Sequence, residues 1–293
     1  MLFITEDQVR EHLTMPAAVG LMRETFAQLR AGIARNQPRR RLILPTGTVL
    51  HSMAGAWGKY LGTKVYSTNP RHGAYFFFLL FDAETALPLA YFEANHLGQI
   101  RTGAASGYAT SILAAAEADT LAIIGAGFQA RTQLAAIREV RELRDVRVWS
   151  RNETNRYNFA VETGTRAVAS AEEAVRGAAV VVTATWSKEP VLESQWIAPG
   201  THLNAIGSNQ AQRREIPADL IARADLIACD SLEVAKIEAG DLLLAGVDWS
   251  DPRIVDLEQV EARPPGDPVT IFKSSGLGVE DVAAAAYVYE KLA

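Results

Sequence analysis

Leu121-Ala122-Ile123-Ile124-Gly125-Ala126-Gly127-Phe128-Gln129-Ala130 is the stretch on which the fold turns. An apolar run ends in two glycines one residue apart, and Ala130, Leu134 and Ile137 then recur on one helical face. That is a strand, a tight turn and a helix, the dinucleotide fingerprint in its G-x-G-x-x-A form. Glycine lets the backbone turn sharply and approach a pyrophosphate, whose charge the helix N-terminus stabilises. The bare pattern also fits a tight turn that holds no ligand. The flanking strand and helix, with a second strand about 20 residues beyond Ala130, favour nucleotide binding.

Toward the C-terminus, apolar strands are predicted at 121–124, 146–149, 180–185, 203–206 and 226–229, alternating with helical stretches. Such alternation builds a parallel sheet from βαβ units. The second strand ends in Ser150-Arg151-Asn152, where an NAD-specific site presents an acid to the ribose 2′-hydroxyl. A hydroxyl and a guanidinium stand there instead and fit a 2′-phosphate, which favours NADP over NAD. The alternative is a solvated Arg151. A last helix over 279–292 carries Glu280 and Asp281 in its first turn and Lys291 in its last, complementing the helix dipole.

Toward the N-terminus the texture is different. Thr5-Glu6-Asp7-Gln8 has capping-box spacing, and Val19, Met22, Phe26 and Leu29 mark an amphipathic helix stopped near Gly32. Short β-rich runs at 49–57, 60–66, 74–81 and 86–92 read as an antiparallel meander. Tyr75 to Phe81 shows no polar alternation, so both faces of that strand are expected to be covered, one by helices and one by a second subunit of a homodimer. Ile100, Ala104, Tyr108 and Ile112 recur at every fourth residue, which predicts a helix ending near Ala118 and a domain boundary there.

The 293 residues make two domains of roughly 150. With 48% hydrophobic and 22% charged residues the chain is expected to be globular, and its net charge of -5 repels nucleic acid. Cys229 is the only cysteine, which excludes an internal disulfide and fits the cytoplasm. The longest apolar stretch, Ala74 to Phe81, falls short of the about 20 residues of a membrane helix, and the charged N-terminus lacks a secretory signal, so no membrane partner is expected. His12, His51, His72, His96 and His202 are scattered without metal-site spacing, and no nucleophile elbow or phosphate-binding Gly-Lys-Ser/Thr loop occurs. Arg39-Arg40-Arg41 fits a solvated basic run and a grip for a small carboxylate equally well.

Pro38-Arg39-Arg40, Lys64, Asn69-Pro70, Ile100-Arg101-Thr102-Gly103-Ala104-Ala105 and the glycine turn occur in an order that resembles the ornithine cyclodeaminase/mu-crystallin family. Two further stretches, Pro199 to Ser208 and Phe272 to Gly276 leading to Glu280-Asp281-Val282, extend the resemblance along nearly the whole chain. It implies an α/β chain in which a Rossmann-type parallel sheet domain, residues 117–274, is inserted into an α+β domain with an antiparallel sheet. That second domain, residues 1–116 plus 275–293, is implied to bind substrate and dimerise.

The matching substrate positions are Arg40, Lys64 and Arg101. A guanidinium fork binds an α-carboxylate and fixes the Cα–H toward the nicotinamide, which is the main thing an enzyme supplies when the cofactor carries the hydride. Lys64 is implied to exchange a proton with the substrate nitrogen or hold the carboxylate, its pKa depressed by neighbouring arginines. Cofactor contacts are expected from Gly125, Gly127, Phe128 and Gln129, from Ser150, Arg151 and Asn152, and from Thr102, Thr185, Arg213 and Ser274.

One position departs from the pattern. Cyclodeaminases of the family carry an aspartate where this chain has Asn209, and an amide supplies neither a base nor a negative charge. The reading therefore favours an NAD(P)-dependent oxidoreductase acting at the Cα–N bond of a small amino or imino acid, like the family's ketimine reductases and alanine dehydrogenases. Ornithine cyclodeamination, and binding of NADPH and a small ligand without turnover, are the alternatives.

Overall fold

The computed structural model describes residues 1–293 and divides them into two compact units, Met1–Ala104 with Gly276–Ala293, and Ala105–Ser275. The chain leaves the first unit inside a helix and re-enters it just before the last one.

The first unit contains β1 (Leu2–Ile4), α1 (Glu6–His12), α2 (Met15–Arg30), β2 (Arg35–Ile43), β3 (Val49–Trp57), β4 (Tyr60–Asn69), β5 (Gly73–Asp82), β6 (Pro88–Glu93) and the start of α3 (Asn95–Leu113). The capping box forms as the sequence predicts: the Gln8 backbone N–H donates to Thr5 Oγ1 at 3.4 Å, and Thr5 N–H donates to Gln8 Oε1 at 3.0 Å. Strands pair in the order β1-β6-β5-β4-β3-β2, antiparallel except for the parallel β1–β6 pair. The sequence reading missed β2, because Pro38 and three arginines are poor strand formers. A register shift between Gln37 and Arg40 accommodates them.

Side chains alternate across this sheet. Met53, Lys64, Phe78 and Phe92 occupy the covered face, where the last helix packs. Four successive alanines, 283 to 286, let that helix lie close to the strands. Tyr75 and Phe77 point the other way and are 59% and 40% exposed, alongside Leu50 and Leu61. One chain thus covers one face of β5 and leaves the second apolar face open.

The second unit completes α3 and continues with β7 (Thr120–Ile124), α4 (Phe128–Val140), β8 (Asp145–Trp149), α5 (Glu153–Thr163), β9 (Arg166–Ala167), α6 (Ala171–Val175), β10 (Val180–Thr183), β11 (His202–Ala205), α7 (Ala218–Arg223), β12 (Leu226–Cys229), α8 (Leu232–Glu238), α9 (Gly240–Leu243), β13 (Ile254–Asp256) and β14 (Thr270–Lys273). All eight strands are parallel, in the order β13-β12-β14-β11-β10-β7-β8-β9. Leu121 and Ile123 enter one core layer with Leu134 and Ile137, while Ala122 and Ile124 enter the opposite layer with Leu203 and Ile271. Burial on both faces explains why these strands read as unbroken apolar runs. Chain order reverses between β7 and β10, and it is outside the carboxyl ends of the strands at such a switch point that open α/β sheets bind their ligands. Helix α3 ends at Leu113, earlier than predicted, where Arg141 closes it by donating to the carbonyls of Thr110, Ala114 and Ala115. The chain then returns to the first unit as α10 (Gly278–Leu292).

Candidate active site

In the first unit, Lys64 sits mid-strand on the covered face of β4. Its Nζ donates to Asp281 Oδ1 at 3.0 Å, and the same oxygen accepts Arg101 Nε at 3.1 Å. Arg101 Nη1 reaches Glu280 Oε2 at 2.8 Å, which also accepts the Leu277 backbone N–H at 3.3 Å. All four side chains are buried: Lys64 is 3% exposed, Arg101 5%, Glu280 and Asp281 0%. Helix α3 crosses Lys64 at Gly98, where a Cβ would collide with Nζ. Glycine at 98 therefore makes room for a buried ammonium.

Burying charge is costly unless it is paired, and here the pairing is incomplete. Lys64 gives one of its three protons to Asp281, Arg101 keeps Nη2 outside its two ion pairs, and Asp281 Oδ2 and His51 Nδ1 have no hydrogen-bond partner. Each such group costs about 1–3 kcal/mol when left dry, so their clustering marks a place for a polar ligand. Burial, helped by the charges of Arg101 and Arg39 and opposed by Asp281, lowers Lys64 to about 8. Burial also works against charge on Arg101, yet Asp281 and Glu280 raise it above its ordinary value. Arg101 is a fixed cation, and Lys64 a titratable one.

Aromatic rings line the same face. His51 stacks on Tyr66 at 4.2 Å, Tyr66 on Phe76 at 4.9 Å, and Lys64 Nζ lies 5.4 Å from the Phe76 ring centre. Burial, then the charges of Arg41 and Arg39, lower His51 to about 4, so its ring is neutral at pH 7.

The expected role of Arg40 needs correction. Arg40 pairs with Ser52 and Arg41 with His51, while His51 pairs with Tyr66 and Ser52 with Val65. Partners across a sheet share a face, so Arg40 lies opposite the Lys64 and Tyr66 face and is exposed. The register shift at 37–40 turns Arg39 inward instead: it is 7% exposed, and its Nη2 donates to the Gly276 carbonyl at 3.5 Å. Composition could not tell these neighbours apart, because the bulge breaks the two-residue alternation.

In the second unit the remaining expected residues, apart from Thr102, gather at the carboxyl edge of the parallel sheet. Gly125 holds φ 115°, and a Cβ there would strike the Ala184 carbonyl. Gly127 caps the 13-residue α4, faces open space, and is followed by a first turn without acidic residues. A pyrophosphate fits this cradle of backbone N–H groups. Phe128 is exposed and Gln129 half-buried beside it. On the neighbouring strand end, Ser150 Oγ donates to the Asn152 carbonyl at 2.8 Å, Asn152 Oδ1 caps α5 by accepting Asn155 N–H at 2.9 Å, and Arg151 is exposed.

Thr185 donates through N–H and Oγ1 to Glu215 Oε1, both at 2.6 Å, and Gly207 N–H donates to Glu215 Oε2 at 2.8 Å. Burial and Asp241 raise the Glu215 pKa. Asn209 lies half-buried in the loop after β11, and the Arg213 guanidinium is 4.5 Å from the Trp186 ring centre. Ser274 Oγ donates to Asp230 at 3.2 Å. Thr102 belongs to the first unit, and its hydroxyl donates to the Gly98 carbonyl at 2.8 Å.

The profile of the ornithine cyclodeaminase/mu-crystallin family matches residues 1–293. The chain belongs to that family. It is 38% identical over 217 residues to the ketimine reductase mu-crystallin of Mus musculus, covering 72% of this chain and 68% of the mouse protein. Thermococcus litoralis Delta(1)-pyrroline-2-carboxylate reductase, solved with NADH and L-proline, superposes with TM-score 0.93 at 30% identity over 99% of this chain and 97% of that one. An archaeal alanine dehydrogenase dimer with bound NAD superposes with TM-score 0.93 at 31% identity, over 99% and 95% of the two chains.

For this family member the sequence reading gave Glu280 and Asp281 no place in the buried cluster, taking them as helix-dipole complements and as part of the resemblance. The available signal was their position in the quoted Glu280-Asp281-Val282 stretch. Glu215 and Asp241 were missed altogether, and Lys273 was noted only within the Phe272–Gly276 stretch. Lys273 Nζ lies 2.8 Å from Asp241 and donates to the Ser208 carbonyl at 2.6 Å, a buried brace beneath the loop that carries Asn209.

Proposed function

We propose that this chain catalyses NAD(P)-dependent hydride transfer at the Cα–N bond of a small amino or imino acid. The observation that carries the reading is the buried Lys64–Asp281–Arg101 cluster with donors left over, in a chain that also holds a dinucleotide cradle at Gly125–Gly127. Lys64 Nζ and Arg101 Nη2, with Arg39 beside them, take the substrate carboxylate and so fix the orientation of Cα. A bound reduced nicotinamide supplies the hydride. In the reductive direction that hydride adds to the carbon of a protonated C=N bond, the π pair becomes the nitrogen lone pair, and the nitrogen keeps its proton. The covered face excludes water from a charge pair that must recognise a small anion.

The first unit carries the substrate and dimerises through its uncovered apolar sheet face, Leu50, Leu61, Tyr75 and Phe77, as the dimeric alanine dehydrogenase relative makes reasonable. The second unit carries the dinucleotide, with NADP favoured over NAD by Ser150 and Arg151 and by the lack of an acid there. Neutral Asn209 weighs against cyclodeamination. No helix is long and apolar enough to cross a membrane. A buried single cysteine fits the cytoplasm.

The test is oxidation of NADPH and NADH, followed by nicotinamide absorbance, with cyclic imino acids and with 2-oxo acids plus ammonia. Turnover with a member of the panel is expected. No turnover with any member, alongside binding of NADPH, favours a binding protein, and proline formed from ornithine without net cofactor change favours the lyase.

A further inference from the structure

We propose that Asp281 reads the nitrogen of the substrate: Oδ2 accepts an N–H of the bound ammonium or iminium while Oδ1 holds Lys64 and Arg101. The inference rests on the function proposed above and names the residue that tells a nitrogen at Cα from a keto oxygen or a plain carbon.

The geometry separates the two oxygens. Oδ1 takes Lys64 Nζ at 3.0 Å and Arg101 Nε at 3.1 Å, while Oδ2, on a side chain with no exposure, has no hydrogen-bond partner. A buried carboxylate oxygen without a donor is expensive, and both groups with protons to spare nearby, Lys64 and Arg101, are the ones that suit the substrate carboxylate. An N–H of the ligand supplies the donor that Oδ2 lacks. An α-amino or α-imino acid brings a carboxylate for the cations and, one carbon away, an N–H for the acid. A 2-oxo acid brings an acceptor to the same place and leaves Oδ2 facing another lone pair.

The experiment measures Kd by calorimetry on the full chain saturated with NADPH, so that amino acid and reduced cofactor sit together without turnover. The probes are L-proline against cyclopentanecarboxylate and L-alanine against isobutyrate, two pairs matched in shape that differ at the nitrogen. Asp281→Asn keeps the shape and the acceptor at one oxygen and puts an N–H where Oδ2 stood. The parent is expected to prefer the nitrogen-bearing member of at least one pair by about tenfold or more, as hydrogen bonds to charged groups do. In D281N that ratio falls to near one while the nitrogen-free ligand keeps its affinity.

A ratio unchanged in D281N, or a parallel loss of both members, overturns the inference, the second outcome assigning Asp281 to support of Lys64 and Arg101 alone. Should D281N fail to fold, the parent decides: equal affinity within both pairs overturns the inference, and a preference for nitrogen sustains it. Failure of the parent to bind any of the four acids overturns the carboxylate site itself, and this inference with it.

Discussion

Lys64 and Asp281 stand 217 positions apart in the chain, yet Lys64 Nζ and Asp281 Oδ1 are 3.0 Å apart and buried. The pair joins the middle of the meander to the first turn of the last helix, so the buried cluster exists only when the chain returns from its insertion. That dependence gives the pair consequences that can be measured.

Gly98→Ala separates stability from activity. Alanine favours an exposed helix interior by about 1 kcal/mol over glycine, but a methyl at 98 occupies the place of Lys64 Nζ. Because the clash is with the flexible end of a lysine, the fold is expected to persist, with a Tm within a few degrees of the parent. A kcat/KM loss of about a hundredfold is expected from displacing the ammonium. Thermal unfolding and steady-state kinetics on the same preparation check this.

Arg39 and Arg40 should behave as opposites. Arg39→Gln removes a buried guanidinium beside Lys64 and should raise KM for the amino or imino acid by about ten- to a hundredfold. Arg40→Gln, on the exposed face, should change KM by less than about twofold. Reversal of that order would restore Arg40 to the site.

How far the sequence carried the reading is clearest at these neighbours. The parallel sheet was legible because burial on both faces writes unbroken apolar runs, and the glycine turn because φ 115° at Gly125 leaves few other residues possible. The meander was legible from β3 to β6, whose ends fall close to the predicted ones. Strand β2 was not, since its pairing is enforced by neighbours against the propensities of Pro38 and the arginines. Lys64 and Arg101 were found through resemblance. Glu280 and Asp281 were not, because a first-turn acid looks the same whether it faces water or a buried ammonium.

The pH dependence follows from Lys64. With its pKa lowered to about 8 chiefly by burial, the ammonium proposed to hold the carboxylate is lost above that pH, so KM should rise as pH passes 8 while Lys64→Arg shows no such rise. Stability moves the other way. The unfolded chain, with an ordinary lysine near 10.5, binds more protons than the folded one between about 8 and 10.5, so folding gains stability across that window. The buried Cys229 thiol, its pKa raised by burial, works against that gain above about 9, so the urea midpoint of the parent should rise across the window relative to that of Lys64→Met.

Cofactor choice is expected to rest on Arg151. Its replacement by Ala should raise KM for NADPH about tenfold and leave NADH within about twofold, because a guanidinium contributes to the 2′-phosphate and little to a hydroxyl. Equal effects on both cofactors would assign Arg151 to solvent.

Phe77→Lys tests the uncovered face of the sheet. Placing a charge at a residue 40% exposed within an apolar surface should leave the isolated fold intact and shift the mass in sedimentation from dimer to monomer. An unchanged mass would remove this face from the interface.

The destination of the hydride is the most direct measurement. With NADPH deuterated at nicotinamide C4 on the transferred face and an imino acid substrate, mass spectrometry of the amino acid product should show one deuterium at Cα, and Arg101→Ala should abolish its appearance. Product formed without deuterium at Cα, or no product from any imino acid while NADPH binds, contradicts hydride transfer at the Cα–N bond.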